Sequence, residues 1–245
     1  QMCIRDSHDD VKTILGEGLR RFCVEPFIAD DRLEWRDGPT ESLDKDIIAA
    51  VASPFDQEGG LRLVKGNLGR AVVKISAVAE DYYSITAPAR VFTSQEDFKR
   101  AFNDGELETD FVAVLANQGP AAVGMPELHK LTPYLGLLQN RGFKVALLTD
   151  GRMSGASGKV LSAIQATPEA ARGGAIGKIR DGDMITICAV TGEMSVAADD
   201  IESREPGADE IASHSFGIGR ELFQAFRERS TSAEEGASFF AGSES

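Results

Sequence analysis

At 245 residues, 42% of them hydrophobic and 27% charged, the chain is long enough for one large domain, or a domain plus an extension, with a real core. Its 26 basic and 39 acidic residues give a formal charge of −13, and the acids are scattered, which argues against nucleic acid or an anionic membrane surface as a partner. No apolar run approaches the ~20 residues that a bilayer span needs, and no apolar core with a small-residue cleavage site is read at the start, so the expected address is the cytoplasm.

Cys3, Cys23 and Cys188 lie far apart and form no CxxC or Cys/His pair. Neither a zinc site nor a disulfide framework is signalled, and the three are poor candidates for cluster ligands. Residues 1–7, QMCIRDS, continue into no hydrophobic pattern and are set aside as a foreign leader, Cys3 with them.

Residues 8–60 hold Pro, Gly and charge clusters around short apolar stretches, the texture of an interdomain segment. One helix is predicted there over residues 42–52, capped by Ser42, with Ile47, Ile48 and Val51 on one face. From Leu61 the pattern sharpens into a second region, 61–245. AVVKISAV and ARVF read as strands, and SQEDFKRAF as a helix capped by Ser94 with Asp97 at the capping-box position. DFVAVLAN is a buried strand. The loop QGPAAVG then leads to a helix with Pro126 at its start, Leu128, Leu131, Leu135 and Leu138 at helical spacing, and Gly142 at its end.

FKVALLT is the next strand, GRMSGASGK a second glycine-rich loop, and Thr167-Pro168 opens a short helix stopped by Gly173-Gly174. MITICAV and EMSVAA flank Thr191-Gly192 as a hairpin, and GRELFQAFRER is an amphipathic helix carrying Leu222, Phe223 and Phe226. At least six strands against three or four helices predict an α/β fold with a mixed sheet or partly closed barrel and peripheral helices.

Two loops are candidates for chemistry, because each is glycine-rich, follows a buried strand and can present backbone N–H groups at the end of the sheet. They form one rim if their strands are neighbours. In GPAAVGMPELH, Glu127 is placed in the first turn of a helix. There a carboxylate either complements the helix dipole without further role, or ligates a divalent cation such as Mg²⁺. In DGRMSGASGK, Ser154 and Ser157 stand between glycines, but neither the Walker pattern nor GxSxG is met; a phosphate-cradling turn and a plain tight turn both remain. His129 stands close to Glu127 and is more often a surface group than an acid or base.

At these loops the sequence resembles the family that joins dihydroxy-acid dehydratases and 6-phosphogluconate dehydratases. The resemblance rests on GGLRLVKGNLGRAVVKISAV, on QGPAAVGMPELHKLTPYLGLLQNRGFKVALLTDGRMSGASGKV and on GKIRDGDMITI, and covers nearly all of residues 8–241. MPELHKLTP, GRMSGASGKV and GIGRELFQAFRE are similar to the phosphogluconate branch.

The resemblance implies a barrel-like swivelling domain (β/β/α) over residues 61–245, which in the family follows an amino-terminal domain holding the cysteines of a 4Fe-4S cluster and most Mg²⁺ ligands. It implies that Glu127 completes the Mg²⁺ site, that Ser154 removes the C2 proton while cluster iron acts as Lewis acid on the departing C3 hydroxyl, and that Arg152, Ser157 and Lys159 bind the substrate. No cluster ligand is expected in this chain. The implied substrate is a small anionic phosphosugar acid, 6-phospho-D-gluconate, and the implied assembly of the longer enzyme is a homodimer. Ala116 and Ala121 stand where members carry basic residues. The chain alone is expected to show no turnover. Two other readings stand beside this one: a dehydratase for dihydroxy or other sugar acids, and a non-catalytic swivelling or binding module acting in trans.

Overall fold

The computed structural model describes residues 12–14, 16–18, 22–50, 52–55, 59–153, 158–207 and 216–240. The chain divides into two compact units, Gln1–Gly59 and Gly60–Ser245.

In the first unit, β1 (Lys12–Thr13) and β2 (Gly16–Glu17) form a two-stranded ladder. β3 (Val24–Ala29) and β4 (Arg32–Asp37) form a regular antiparallel hairpin. Its turn residues Asp30 and Asp31 sit at φ 48° and 60°. Two consecutive positive φ values match the right-handed twist of the flanking strands, and aspartate tolerates that region better than most residues. The helix predicted over residues 42–52 does not form among the described residues, 42–50 and 52; Val51 lies outside them. Asp44 N–H donates to the Ser42 hydroxyl at 3.3 Å and Asp46 N–H to Asp44 Oδ1 at 3.0 Å. Side chains that hydrogen-bond their own backbone compete with helix formation, and Ile47 and Ile48 are exposed, so no apolar face repays a helix.

The second unit is a closed barrel of eight strands in the order β10-β6-β5-β12-β11-β7-β8-β9. The strands are β5 (Leu61–Gly66), β6 (Gly69–Lys74), β7 (Ser84–Val91), β8 (Phe111–Leu115), β9 (Val145–Thr149), β10 (Leu161–Thr167), β11 (Met184–Cys188) and β12 (Glu193–Val196). The sheet is mixed: β7, β8, β9 and β10 are successively parallel, as are β12 and β5, whereas the remaining neighbours are antiparallel. This is the barrel-like α/β architecture that the sequence predicts, with closure complete.

Period-2 alternation divides each central strand between two cores. Val112, Val114, Ala146 and Leu148 face the barrel interior with Val64, Ile85, Ile187 and Met194. Phe111, Ala113, Leu115, Val145 and Leu147 face outward into a second cluster under α1 (Gln95–Asn103) and α3 (Leu131–Asn140). Both faces are therefore covered, which is why β8 and β9 are apolar at nearly every position. The hairpin turn at Asn67 closes the opposite wall: its amide donates to Val196 O at 2.8 Å and accepts Val196 N–H at 2.9 Å.

Ser94 caps α1 as predicted, accepting Asp97 N–H at 3.1 Å. The helix predicted to start at Pro126 begins instead at Leu131, and GPAAVG, expected as loop, holds a four-residue helix, α2 (Pro120–Val123). After Thr167-Pro168 the chain makes two 3-10 turns, Ala170–Arg172 and Ala175–Lys178, the first ended by Gly173 at φ 80°. The closing helix splits into a 3-10 turn, Arg220–Phe223, and α4 (Gln224–Arg229), and Leu222, Phe223 and Phe226 are exposed rather than buried.

Candidate active-site rim

β8 and β9 are parallel neighbours, Leu115 beside Thr149, so the two glycine-rich segments that follow them leave the same end of the barrel. Loop one runs from Ala116 through α2 to Lys130, and loop two from Asp150 to Val160.

Glu127 is not in the first turn of a helix. Gly124 and Met125, at φ 76° and 55°, reverse the chain after α2. Glu127 then pairs with Arg152 as an isolated parallel bridge. Leu128 N–H donates to Arg152 O at 3.0 Å instead of to a helical carbonyl, and Arg152 Nε donates to Met125 O at 3.0 Å. The Leu128 side chain is fully buried beneath this contact, while Glu127 is half-buried and Arg152 and His129 are exposed. The dipole of a helix N-terminus therefore does not account for Glu127, whose carboxylate belongs to a loop at the rim.

Ser154 and Ser157 lie outside the described residues. Lys159 is described, and it stands away from Glu127. Its carbonyl accepts Gln139 Nε2 at 3.2 Å, near the carboxyl end of α3 and the start of β9, about 15 Å along a five-residue strand from the Glu127–Arg152 bridge.

Two carboxylates that sequence reasoning did not single out lie under the rim. Asp150 has no exposed surface, and its side chain accepts Asn117 N–H at 3.1 Å, Gln118 N–H at 2.8 Å and Ala170 N–H at 2.9 Å. Burial pushes its carboxyl up from the ordinary aspartate value, with Glu169's charge adding to the shift, against the pull of the three amide donors. Glu169 accepts Ala121 N–H at 3.0 Å, with Arg172 Nε 3.4 Å away. The signal for both was weak: an Asp before Gly reads as a turn residue and a Glu after Pro as a helix start. Ala121 contributes its amide to this arrangement, and Ala116 packs against the barrel core.

Beside Met125 the surface opens into a groove of about 380 Å³, lined by Pro120 and Val123 on one side and by Arg220, Phe223, Phe226 and Arg227 on the other. It is a place at the rim where cationic side chains of this acidic chain gather.

Among the described residues no group of three or more His, Cys, Asp or Glu could hold a metal ion. Glu127 can supply one oxygen ligand to a hard cation, and a complete site needs more. Cys188 is buried in the β11–β12 hairpin, where Thr191 N–H donates to its sulfur at 3.4 Å; Cys23 is exposed in the other unit. The described residues therefore do not fit a cluster or a whole Mg²⁺ site. No helix among them is long and apolar enough to cross a membrane.

Residues 46–237 match the dihydroxy-acid/6-phosphogluconate dehydratase C-terminal family. The chain belongs to that family. Among proteins similar to this family member, a phosphogluconate dehydratase of Pseudomonas aeruginosa is 54% identical over 237 residues, which are 95% of this chain and 38% of the relative. A phosphogluconate dehydratase of Escherichia coli K12 is 51% identical over 232 residues, 94% of this chain and 38% of the relative. A dihydroxy-acid dehydratase of Dinoroseobacter shibae is 39% identical over 199 residues, 80% of this chain and 32% of the relative. This dehydratase-family chain thus spans well under half the length of the curated relatives it matches.

Proposed function

We propose that this chain forms the C-terminal part of a hydro-lyase that dehydrates 6-phospho-D-gluconate to 2-dehydro-3-deoxy-6-phospho-D-gluconate, the dehydration of the Entner-Doudoroff pathway. The observation that carries this reading is the Glu127–Arg152 bridge, which brings a carboxylate and a cation to one barrel rim at the start of the serine loop, in a chain more similar to phosphogluconate dehydratases than to the dihydroxy-acid dehydratase.

In this reading Ser154 takes the proton from C2, the C3 hydroxyl leaves with a proton as water, and the resulting enol becomes the 2-keto acid. A serine oxygen is a weak base unless a nearby cation stabilises its anion. Glu127 supplies one ligand to the Mg²⁺ that the family resemblance implies, and the remaining ligands and the 4Fe-4S cluster belong to sequence outside this chain. Arg152 and Ser157 are assigned to substrate binding, and Lys159, which stands away from Glu127, is left out of the rim. Arg220 and Arg227, in the groove beside Met125, suit the phosphate end, since a dianion needs local positive charge in a chain of net charge −13. A cytoplasmic address and a homodimeric longer enzyme complete the proposal.

The test joins this chain to the preceding portion of the Pseudomonas aeruginosa relative and assays the restored enzyme with phosphorylated and unphosphorylated sugar acids and with dihydroxy acids. The reading expects turnover of 6-phosphogluconate that Ser154→Ala and Glu127→Gln abolish. Preference for dihydroxy acids transfers the assignment to the other branch of the family. Phosphosugar binding by the isolated chain that survives both substitutions favours a binding module.

A further inference from the structure

Loop one, read by itself, is a run of free amides suited to cradling a phosphate. In the folded chain those amides are taken. The Asp150 carboxylate holds the N–H groups of Asn117 and Gln118, and Glu169 holds that of Ala121. The fit is close: a β-carbon on Gly119 would lie 2.2 Å from Glu169 Oε2. Thr149, next to Asp150, donates its hydroxyl to Leu115 O and accepts Gly151 N–H at 3.0 Å. Asp150 is also the first residue of loop two, and its third partner, Ala170, belongs to the turn after β10.

One carboxylate therefore ties three segments that the strand ladders leave separate. β8 and β9 are paired along their whole length without it. Burying a carboxylate carries a large desolvation cost, and an apolar residue would serve strand packing at lower cost. Among the described residues the Asp150 side chain accepts from loop and turn amides, so its consequence falls on loop geometry. The segment so held leads through α2 to Glu127.

We propose that Asp150 is a positioning residue of the rim: its carboxylate locks loop one to the start of loop two and, with Glu169 fixing α2, holds Glu127 against Arg152. The proposal rests on the reading of this rim as a dehydratase site.

The experiment has two arms. In the 245-residue chain, native-state hydrogen exchange is compared between the unsubstituted protein and Asp150→Asn, which keeps the shape but replaces one acceptor by a donor facing amide donors. The amides of Asn117, Gln118, Ala170 and Leu128 are expected to exchange at least about tenfold faster, with β5, β11 and β12 within about twofold. An equal change everywhere, or none at the loops, overturns the proposal. Should Asp150→Asn fail to fold, Glu169→Gln provides the same comparison at Ala121 and Leu128.

In the restored enzyme, Asp150→Asn is expected to lower kcat at least about tenfold while KM stays within about threefold, since a misplaced reacting group costs rate more than binding. If Ser154→Ala and Glu127→Gln leave turnover intact, the dehydratase reading of the rim fails and the positioning role falls with it. If those substitutions abolish turnover while Asp150→Asn keeps kcat within about twofold, the positioning role alone is overturned.

Discussion

Arg152 holds the segment that carries Glu127 at two points: its carbonyl accepts Leu128 N–H at 3.0 Å, and its Nε donates to the Met125 carbonyl at 3.0 Å. The first contact belongs to the backbone and survives any substitution that keeps the fold. The second belongs to the side chain. Arg152→Ala should therefore cost about 1–3 kcal/mol in urea denaturation, because the carbonyl of the buried Met125 loses this donor, while raising KM for a phosphosugar acid in the restored enzyme.

Glu127→Gln should separate stability from function. The side chain is half-buried and the bridge to Arg152 is made by main chain. Unfolding free energy is expected to move by no more than about 0.5 kcal/mol, while turnover in the restored enzyme falls by about a hundredfold or more. Denaturant titration and steady-state kinetics on the same preparation check both halves.

Leu128→Ala should be more costly than either. Leu128 is fully buried in the outer cluster with Leu131, Leu135 and Leu147, so truncation removes transfer free energy and leaves a cavity directly under the rim. The expected loss is about 2–5 kcal/mol, read as a lower denaturation midpoint at unchanged slope.

Two glycines should respond in opposite directions to alanine. At Gly66 an added β-carbon would lie 2.1 Å from Met194 O, a backbone atom that moves only if β12 moves. At Gly136, inside α3, an added β-carbon meets nothing within 4 Å. Gly66→Ala is expected to lower the melting temperature sharply, and Gly136→Ala to stabilise the chain by about 0.5–1 kcal/mol through helix propensity and a less disordered unfolded state.

Asp183 supplies a pH prediction. Burial pulls its carboxyl up, but the Arg204 guanidinium, the Arg180 amide and the Arg204 charge together hold it below the ordinary aspartate value. A depressed folded value contributes stability above the unfolded value and loses it as pH falls through the folded one. The chain should lose this contribution below about pH 3.9. Asp183→Asn should be less stable at neutral pH and show a shallower loss on acidification. Parallel denaturation curves for both proteins that keep a constant separation down to pH 2 would contradict this.

The candidate site was legible in sequence only to the extent that its chemistry is local. The Ser94 cap and the apolar runs of β8 and β9 could be read because each depends on residues a few positions apart. Helical leucine spacing extended one turn too far, back to Leu128, because a buried leucine in an extended segment and one on a helix face look the same in a short window. Asp150 and Glu169 were passed over for the complementary reason: their partners, Asn117, Gln118 and Ala121, are distant in sequence and are backbone groups, which leave no mark in the residue pattern.

The sequence by itself determined six of the eight barrel strands, β6, β7, β8, β9, β11 and β12, and the two glycine-rich loops, because side-chain period and turn chemistry act over neighbouring residues. Only the tertiary structure decided that the barrel closes, that Glu127 meets Arg152 instead of starting a helix, that Lys159 ends up by α3, and that loop one spends its amides on internal carboxylates. Each of these depends on which distant groups the closed sheet brings within hydrogen-bonding distance, and that is a property of strand order and register, not of any local run of residues.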